Sequence, residues 1–245
     1  NRATGALAEA LPRAAAGDTP YTVAVDPTGR FAYAANANSD NISAYSIDQE
    51  TGALTEVLPR AAAGEAPYSV TVDPSGRFVY SSNRDSCTVS VFEINLLTGG
   101  LTASGTITGR SGPLAMAMVK GAAPVRYLPG FLYVTETDSG SVTAYSIDES
   151  SGSLTFETAY AMEFDPKSLH VDPYGKFAYV PEYGSPAVHI YGIDRSTGSL
   201  TGRYTVETDS DPQAFAIDPS GFFAFMTQEE SITRFSISRT SGNLW

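Results

Sequence analysis

Few side chains in this 245-residue chain are suited to chemistry: two histidines, His170 and His189, one cysteine, Cys87, and three lysines, Lys120, Lys167 and Lys176. Three of them, Lys167, His170 and Lys176, share the stretch "DPKSLHVDPYGKFAYVPEYG", which also carries Glu182. An ammonium, an imidazole and a carboxylate in one short segment are the raw material for acid/base catalysis or for holding a polar ligand. A second glutamate, Glu136, closes "FLYVTE" in the same way that Glu182 closes "FAYVPE". Two such carboxylates could hold a hard cation together with amide and water oxygens. They could act as an acid/base pair with Lys167 as electrostatic partner, or stand as hydrated polar groups, and the sequence favours the last. The single cysteine excludes an internal disulfide and an all-cysteine zinc site, and its apolar run "CTVSVF" makes it a packed thiol. Neither histidine has a Gly-x-Ser-x-Gly partner, and no glycine-rich phosphate loop of the usual spacing occurs.

The elements that must position these groups repeat along the chain. "VDPTGRFAYAAN" at Val25–Asn36 returns as "VDPSGRFVYSSN" at Val72–Asn83, then more loosely as "VDPYGKFAYVPE" and "IDPSGFFAFMTQ". The turn glycines Gly29, Gly76, Gly130, Gly175 and Gly221 are 47, 54, 45 and 46 residues apart, which marks five units. The first two match at 19 of 29 positions between Ala8–Asn36 and Thr55–Asn83, and the third carries its extra residues around "KGAAPVRYLPG". A period of this size is the signature of a repeat architecture.

Each unit reads as four short strands. The first alternates with period two, as in Val23 and Val25, Val70 and Val72, Met116 and Met118, Leu169 and Val171, Phe215 and Ile217. A "DPTG" or "DPSG" turn follows, then a second and a third strand, then a glycine turn of the "TGAL" or "SGSL" type leading to the fourth. No segment has a helical period. The expectation is an all-β single domain over 1–245: a β-propeller of five four-stranded antiparallel blades, with units of about 12–58, 59–107, 108–160, 161–206 and 207–245, the last completed by 1–11. The N-terminal strand is expected to close the last blade and remove its edge. The rival reading is five blades of a larger ring.

Composition sets outer limits. Net charge is −12, with 27 acidic against 15 basic residues, so a phosphate backbone would be repelled and no basic patch compensates. No run of about 18 apolar residues is present to span a membrane. The chain opens at Asn1 without a charged-then-apolar leader, which suggests a processed chain.

The phrase "DPSGRFVYSSN" followed by "VSVFEI" and "LTGGLT" resembles the YVTN-type repeat. Over nearly its full length the chain is similar to the lactonase family of propellers, which includes 6-phosphogluconolactonases and fungal muconate-lactonising enzymes. Members usually look seven-bladed, and five units depart from that. The resemblance implies an active site made of a Pro-Arg-His opening to an inner strand and a glutamate just after the second strand of the same blade. In the fourth unit Lys167 holds the arginine position and Ser168 the histidine position, His170 lies two residues late, and Glu182 falls one residue before Tyr183, where the glutamate is expected. A one-residue shift in a strand turns a side chain to the opposite face.

Propeller geometry, independent of family, brings the start of each inner strand and the end of each second strand to one mouth of the central channel. The pairs are Tyr21 and Asn36, Tyr68 and Asn83, Leu114 and Glu136, Lys167 and Glu182, Gln213 and Gln228. His170 adds to them, standing where other units have Ala24, Thr71, Ala117 and Ala216; His189 aligns with Ser43, Ser90, Thr143 and Thr233 and reads as a polar strand position. The candidate catalytic residues are therefore Lys167, His170 and Glu182, and the candidate binding residues Tyr21, Asn36, Tyr68, Asn83, Glu136, Gln213 and Gln228. The function expected is binding of a small molecule or protein at the mouth by a monomeric, non-catalytic propeller. The alternative is a lactonase-like hydrolase acting on a sugar lactone such as 6-phosphogluconolactone. No cofactor is expected, apart from the divalent cation that the carboxylates could hold, and a periplasmic or extracellular setting is favoured over a cytoplasmic one.

Overall fold

Short alternating runs cut by Asp-Pro and glycine turns leave the chain no room for a helix, and the described residues contain none. The computed structural model describes residues 13–109, 111–120 and 129–245. The strand expected within 1–11, and most of the insertion in the third unit, lie outside the described residues. The remainder is an all-β, five-bladed propeller of antiparallel sheets. Blade 1 holds β1 (Pro20–Val25), β2 (Phe31–Asn36), β3 (Asn41–Ile47) and β4 (Leu54–Ala62), and blade 2 holds β5 (Pro67–Val72), β6 (Phe78–Asn83), β7 (Thr88–Ile94) and β8 (Leu101–Thr108). Blade 3 holds β9 (Pro113–Lys120), β10 (Pro129–Glu136), β11 (Ser141–Ile147) and β12 (Leu154–Ala161). Blade 4 has a broken inner strand, β13 (Asp165–Pro166) and β14 (His170–Val171), followed by β15 (Phe177–Tyr183), β16 (Ala187–Ile193) and β17 (Leu200–Glu207). Blade 5 shows β18 (Ala214–Ile217), β19 (Phe223–Thr227) and β20 (Ile232–Ser236), with a bridge from Ile237 to Leu244 beyond them. Within each blade the strands pair in sequence order.

The first turn of a blade is held by its aspartate. Asp26, Asp73, Asp172 and Asp218 each accept the N–H of the phenylalanine five residues on, at 2.7 Å in all four cases. Burial alone would push the Asp26 carboxyl up, but hydrogen bonds from Thr28 and Phe31 outweigh it and hold the group below the usual carboxylate range.

The core lies between blades rather than within them. Of five apolar clusters among the described residues, four sit one at each seam between consecutive blades, the first joining Phe31, Tyr33 and Ile42 of blade 1 to Val70, Val79 and Phe92 of blade 2, and the fifth packs Ala14 on Ala32, Ala34 and Tyr45 of blade 1. The same contact centres every seam: the second-strand phenylalanine of one blade lies against the glycine in the β3–β4-type turn of the next. The pairs are Phe31 with Gly99, Phe78 with Gly152, Phe131 with Gly198 and Phe177 with Gly242, and a Cβ on any of these glycines would overlap the ring. Gly152 also needs its φ of +71°, which a side chain would strain. Two residues beyond the phenylalanine, Tyr80, Tyr133 and Tyr179 donate their hydroxyls across the seam to the carbonyls of Gly152, Gly198 and Gly242, at 3.1, 2.7 and 2.9 Å. Tyr33, equally buried, finds no hydrogen-bond partner.

Tyr133→Phe is expected to cost about 1 kcal/mol through the lost carbonyl bond, and Phe131→Ala about 3–5 kcal/mol through the emptied seam. Urea unfolding with an unchanged m-value reads both; equal costs would show that the ring contact does not dominate the seam.

Candidate channel-mouth site

All five inner strands contribute to one cavity of about 320 Å³ at the mouth of the channel, through Tyr21, Tyr68, Leu114, Lys167, His170 and Gln213 among others. The wall from blades 1 and 2 is aromatic, with the Tyr21 and Tyr68 rings 4.4 Å apart and tilted by 49°. Blade 4 supplies the cation. The Lys167 ammonium donates to Gln213 Oε1 at 3.2 Å and lies 5.1 Å from the centre of the exposed Tyr183 ring.

The inner strand of blade 4 is broken between Pro166 and His170. The imidazole stands where other blades place alanine or threonine, and it packs 5.4 Å from the Phe215 ring with Nε2 3.0 Å from Ser168 Oγ. Ladder pairing with β15 lapses between β13 and β14 and resumes at His170, opposite Tyr179. Desolvation pushes His170 down to about 4, so it is a neutral imidazole at neutral pH.

The structure separates the two halves of the rim expected from the sequence. The inner-strand residues face the cavity. The second-strand ends, Asn36, Asn83, Glu136, Glu182 and Gln228, are all buried inside their own blades. Each reaches the polar residue aligned on its third strand. Asn36 donates to Ser43 at 3.0 Å and Asn83 to Ser90 at 2.9 Å. Thr143 donates to Glu136 and Thr233 to Gln228, both at 2.9 Å. In blade 4 the pair is Glu182 with His189, Oε2 to Nε2 3.2 Å, while His189 Nδ1 sits 3.0 Å from Thr205 Oγ1. These are latches that close the hairpin end. Gly17 and Gly64 complete them in blades 1 and 2, where a Cβ would strike Asn36 and Asn83.

The carboxylates that the sequence placed at the mouth are therefore turned away from Lys167 and His170, and only those two of the three candidate catalytic residues meet in the cavity. Glu136 accepts from Ser139 at 3.1 Å as well as from Thr143, and no group of three metal-ligating side chains converges among the described residues. Sequence reasoning passed over Tyr183 and Arg84, which stand one residue beyond the latch position; Lys167 lies over Tyr183, and the Arg84 guanidinium lies 5.7 Å from the Tyr68 ring centre. Their signal was the one-residue offset between Glu182 and Tyr183.

A family model described as a lactonase, 7-bladed β-propeller, matches residues 2–118, 118–208 and 166–245. The chain belongs to the lactonase β-propeller family. Among solved structures, a candidate 6-phosphogluconolactonase from Bacteroides uniformis superposes with a TM-score of 0.77 at 22% identity, over 95% of this chain and 72% of that one. A protein of unknown function from Desulfotomaculum acetoxidans gives 0.79 at 15% identity, over 94% and 69%. A periplasmic gluconolactonase from Pseudomonas aeruginosa gives 0.62 at 17% identity, over 100% and 88%. No curated protein sequence matches the chain. Among the described residues of this lactonase-family propeller, no helix is long and apolar enough to cross a membrane.

The latch in blade 4 titrates. The Glu182 carboxylate beside it raises His189 above the ordinary 6.5. A histidine raised on folding stabilises the fold fully below the unfolded value and loses that contribution as pH rises through the folded one. The stability of the native protein relative to Glu182→Gln is therefore expected to be greatest near pH 6 and to shrink towards pH 9. A difference that stays constant with pH would show that the pair carries no charge coupling. His170 is common to both proteins and cancels.

Proposed function

We propose that this propeller binds a small, oxygen-rich anionic molecule at its channel mouth without turning it over. One observation carries the reading: Glu136 and Glu182 are engaged inside their blades, which leaves Lys167 as the charged side chain that lines the cavity. Around it the cavity offers hydrogen-bonding groups on Tyr21, Tyr68, Ser168 and Gln213 and an aromatic wall. At about 320 Å³ it is at the small end of ligand sites. One ammonium beside an aromatic wall in a largely apolar recess favours a compact anion. The expectation of an extracytoplasmic setting gains support from the periplasmic gluconolactonase among the similar structures.

Lactone hydrolysis is the second reading, and the state of His170 favours it. A neutral imidazole can accept a proton from water as the oxygen adds to a lactone carbonyl, then return it to the ring oxygen as the C–O bond breaks. Lys167 would stabilise the oxyanion between the two events.

The test pairs calorimetric titration of 6-phosphogluconate with hydrolysis of 6-phosphogluconolactone and simple sugar lactones, the spontaneous rate subtracted. The expected result is stoichiometric binding that weakens about tenfold in Lys167→Met, equivalent to about 1.4 kcal/mol, with no rate above background. Turnover that disappears in His170→Asn would replace binding by hydrolysis, and neither binding nor turnover would remove the mouth as the functional site.

A further inference from the structure

The blade 4 latch does not end at its histidine. Glu182, its side chain 1% exposed, meets His189 Nε2 at 3.2 Å, and the opposite ring nitrogen, Nδ1, lies 3.0 Å from Thr205 Oγ1 on the outermost strand β17. A carboxylate, an imidazole engaged through both nitrogens and a hydroxyl thus stand in line from the inside of the blade to its surface. An ionised carboxylate only accepts, so in the neutral ring Nε2 carries the proton towards Glu182 and Nδ1 accepts from the Thr205 hydroxyl. No other donor bonds either Glu182 oxygen among the described residues, so the charge of this buried group acts on the ring. Glu182 raises His189 above its ordinary 6.5, with a smaller push from Glu163, and makes it the stronger base. The hydroxyl opens on a hollow of about 360 Å³ lined by His189, Ile190, Tyr191, Gly202, Tyr204 and Thr205. The counterpart pairs, Ser90 opposite Thr106 in blade 2 and Thr143 opposite Ala159 in blade 3, contain no base. The His189 side chain is 18% exposed, so water can serve its far nitrogen, and the latch alone asks for no threonine there.

We propose that Glu182, His189 and Thr205 form a nucleophilic triad that hydrolyses small uncharged carboxylic esters at the outer strands of blade 4. Thr205 Oγ1 adds to the ester carbonyl carbon while its proton passes to His189 Nδ1, and Glu182 stabilises the imidazolium so formed. The ester C–O bond then breaks, the Nδ1 proton goes to the departing alkoxide, and the acyl group is left on Thr205. Water adds to that acyl carbon and gives one proton to Nδ1; the bond to Oγ1 breaks and the proton returns to Oγ1. The balance is ester and water to acid and alcohol. β17 is the last strand of its blade, so alternate N–H groups on its outer edge have no ladder partner and are the donors available to the oxyanion. Ile190, Tyr191 and Tyr204 offer walls for a short acyl or aryl group, while Glu163, Glu182 and a net charge of −12 disfavour an anionic ester. The channel mouth, with its ammonium, has the opposite preference, and the proposal does not rest on what the mouth binds.

The test uses the 245-residue protein with p-nitrophenyl butyrate, the spontaneous rate subtracted, and separately with diisopropyl fluorophosphate, which phosphorylates an activated hydroxyl with loss of fluoride. The expected result is turnover above background that falls about a hundredfold in Thr205→Val and in His189→Gln and survives in Thr205→Ser. Peptide mass spectrometry should place the phosphoryl label on Thr205. Because Thr205 is exposed, Thr205→Val should keep the native urea midpoint and so report chemistry rather than folding. A rate equal to background would overturn the proposal, and so would a rate unchanged in Thr205→Val. A label on Ser168 would overturn it as well, because the reactive hydroxyl would then be the one beside His170 at the mouth.

Discussion

The aromatic ring seated on a glycine turn is the contact on which the rest of this structure depends. A blade of antiparallel strands has two apolar faces and cannot bury either by itself. The phenylalanine on one face and the glycine on the other let neighbouring blades approach closely, and the tyrosine bond to the same turn's carbonyl fixes their orientation. From that orientation follow the width of the channel and the identity of the side chains that can line it. Lys167, His170, Tyr21 and Tyr68 come together because four seams repeat one geometry, although up to 149 residues separate them in sequence.

A second constraint acts at the end of each hairpin, where the second strand is too deep in the blade to leave its last polar side chain dry. Buried polar groups are normally paired, and each blade places a partner seven or five residues on, on the third strand, by a hydrogen bond in four blades and by the Glu182–His189 ion pair in blade 4. Asn with Ser, Glu with Thr, Gln with Thr and Glu with His are variants of one structural solution. The variation that looked like a functional signature in the sequence is largely a record of local pairing. His189 is the clearest case, since it follows from Glu182 as Ser43 follows from Asn36.

The blades were legible because turn chemistry and period-two alternation are local. Asp-Pro turns, positive-φ glycines and the Val-x-Val inner strands each announce their conformation within a few residues. The site was legible only in part, for a physical reason. The second strands of blades 1 and 2 are buried on both faces, so alternation there carries no information about which parity looks towards the channel. Glu182 and Tyr183 could not be told apart by pattern, and the carboxylate was placed at the mouth although the phenol is the exposed one. Lys167 and Gln213, which lie just outside the inner strands, line the cavity. The break in the blade 4 inner strand could not be read beforehand, because a lost ladder leaves no mark on composition.

The seam is also a unit of inheritance. With a ring on one side and a bare backbone on the other, every blade has a head and a tail, and any tail accepts any head. Duplicating a segment of about 46 residues therefore lengthens the array without requiring a new contact, and the near identity of the first two units is what a recent event of that kind would leave. Blade number in such a lineage is free to drift until an angle, rather than any particular residue, decides when the circle is full.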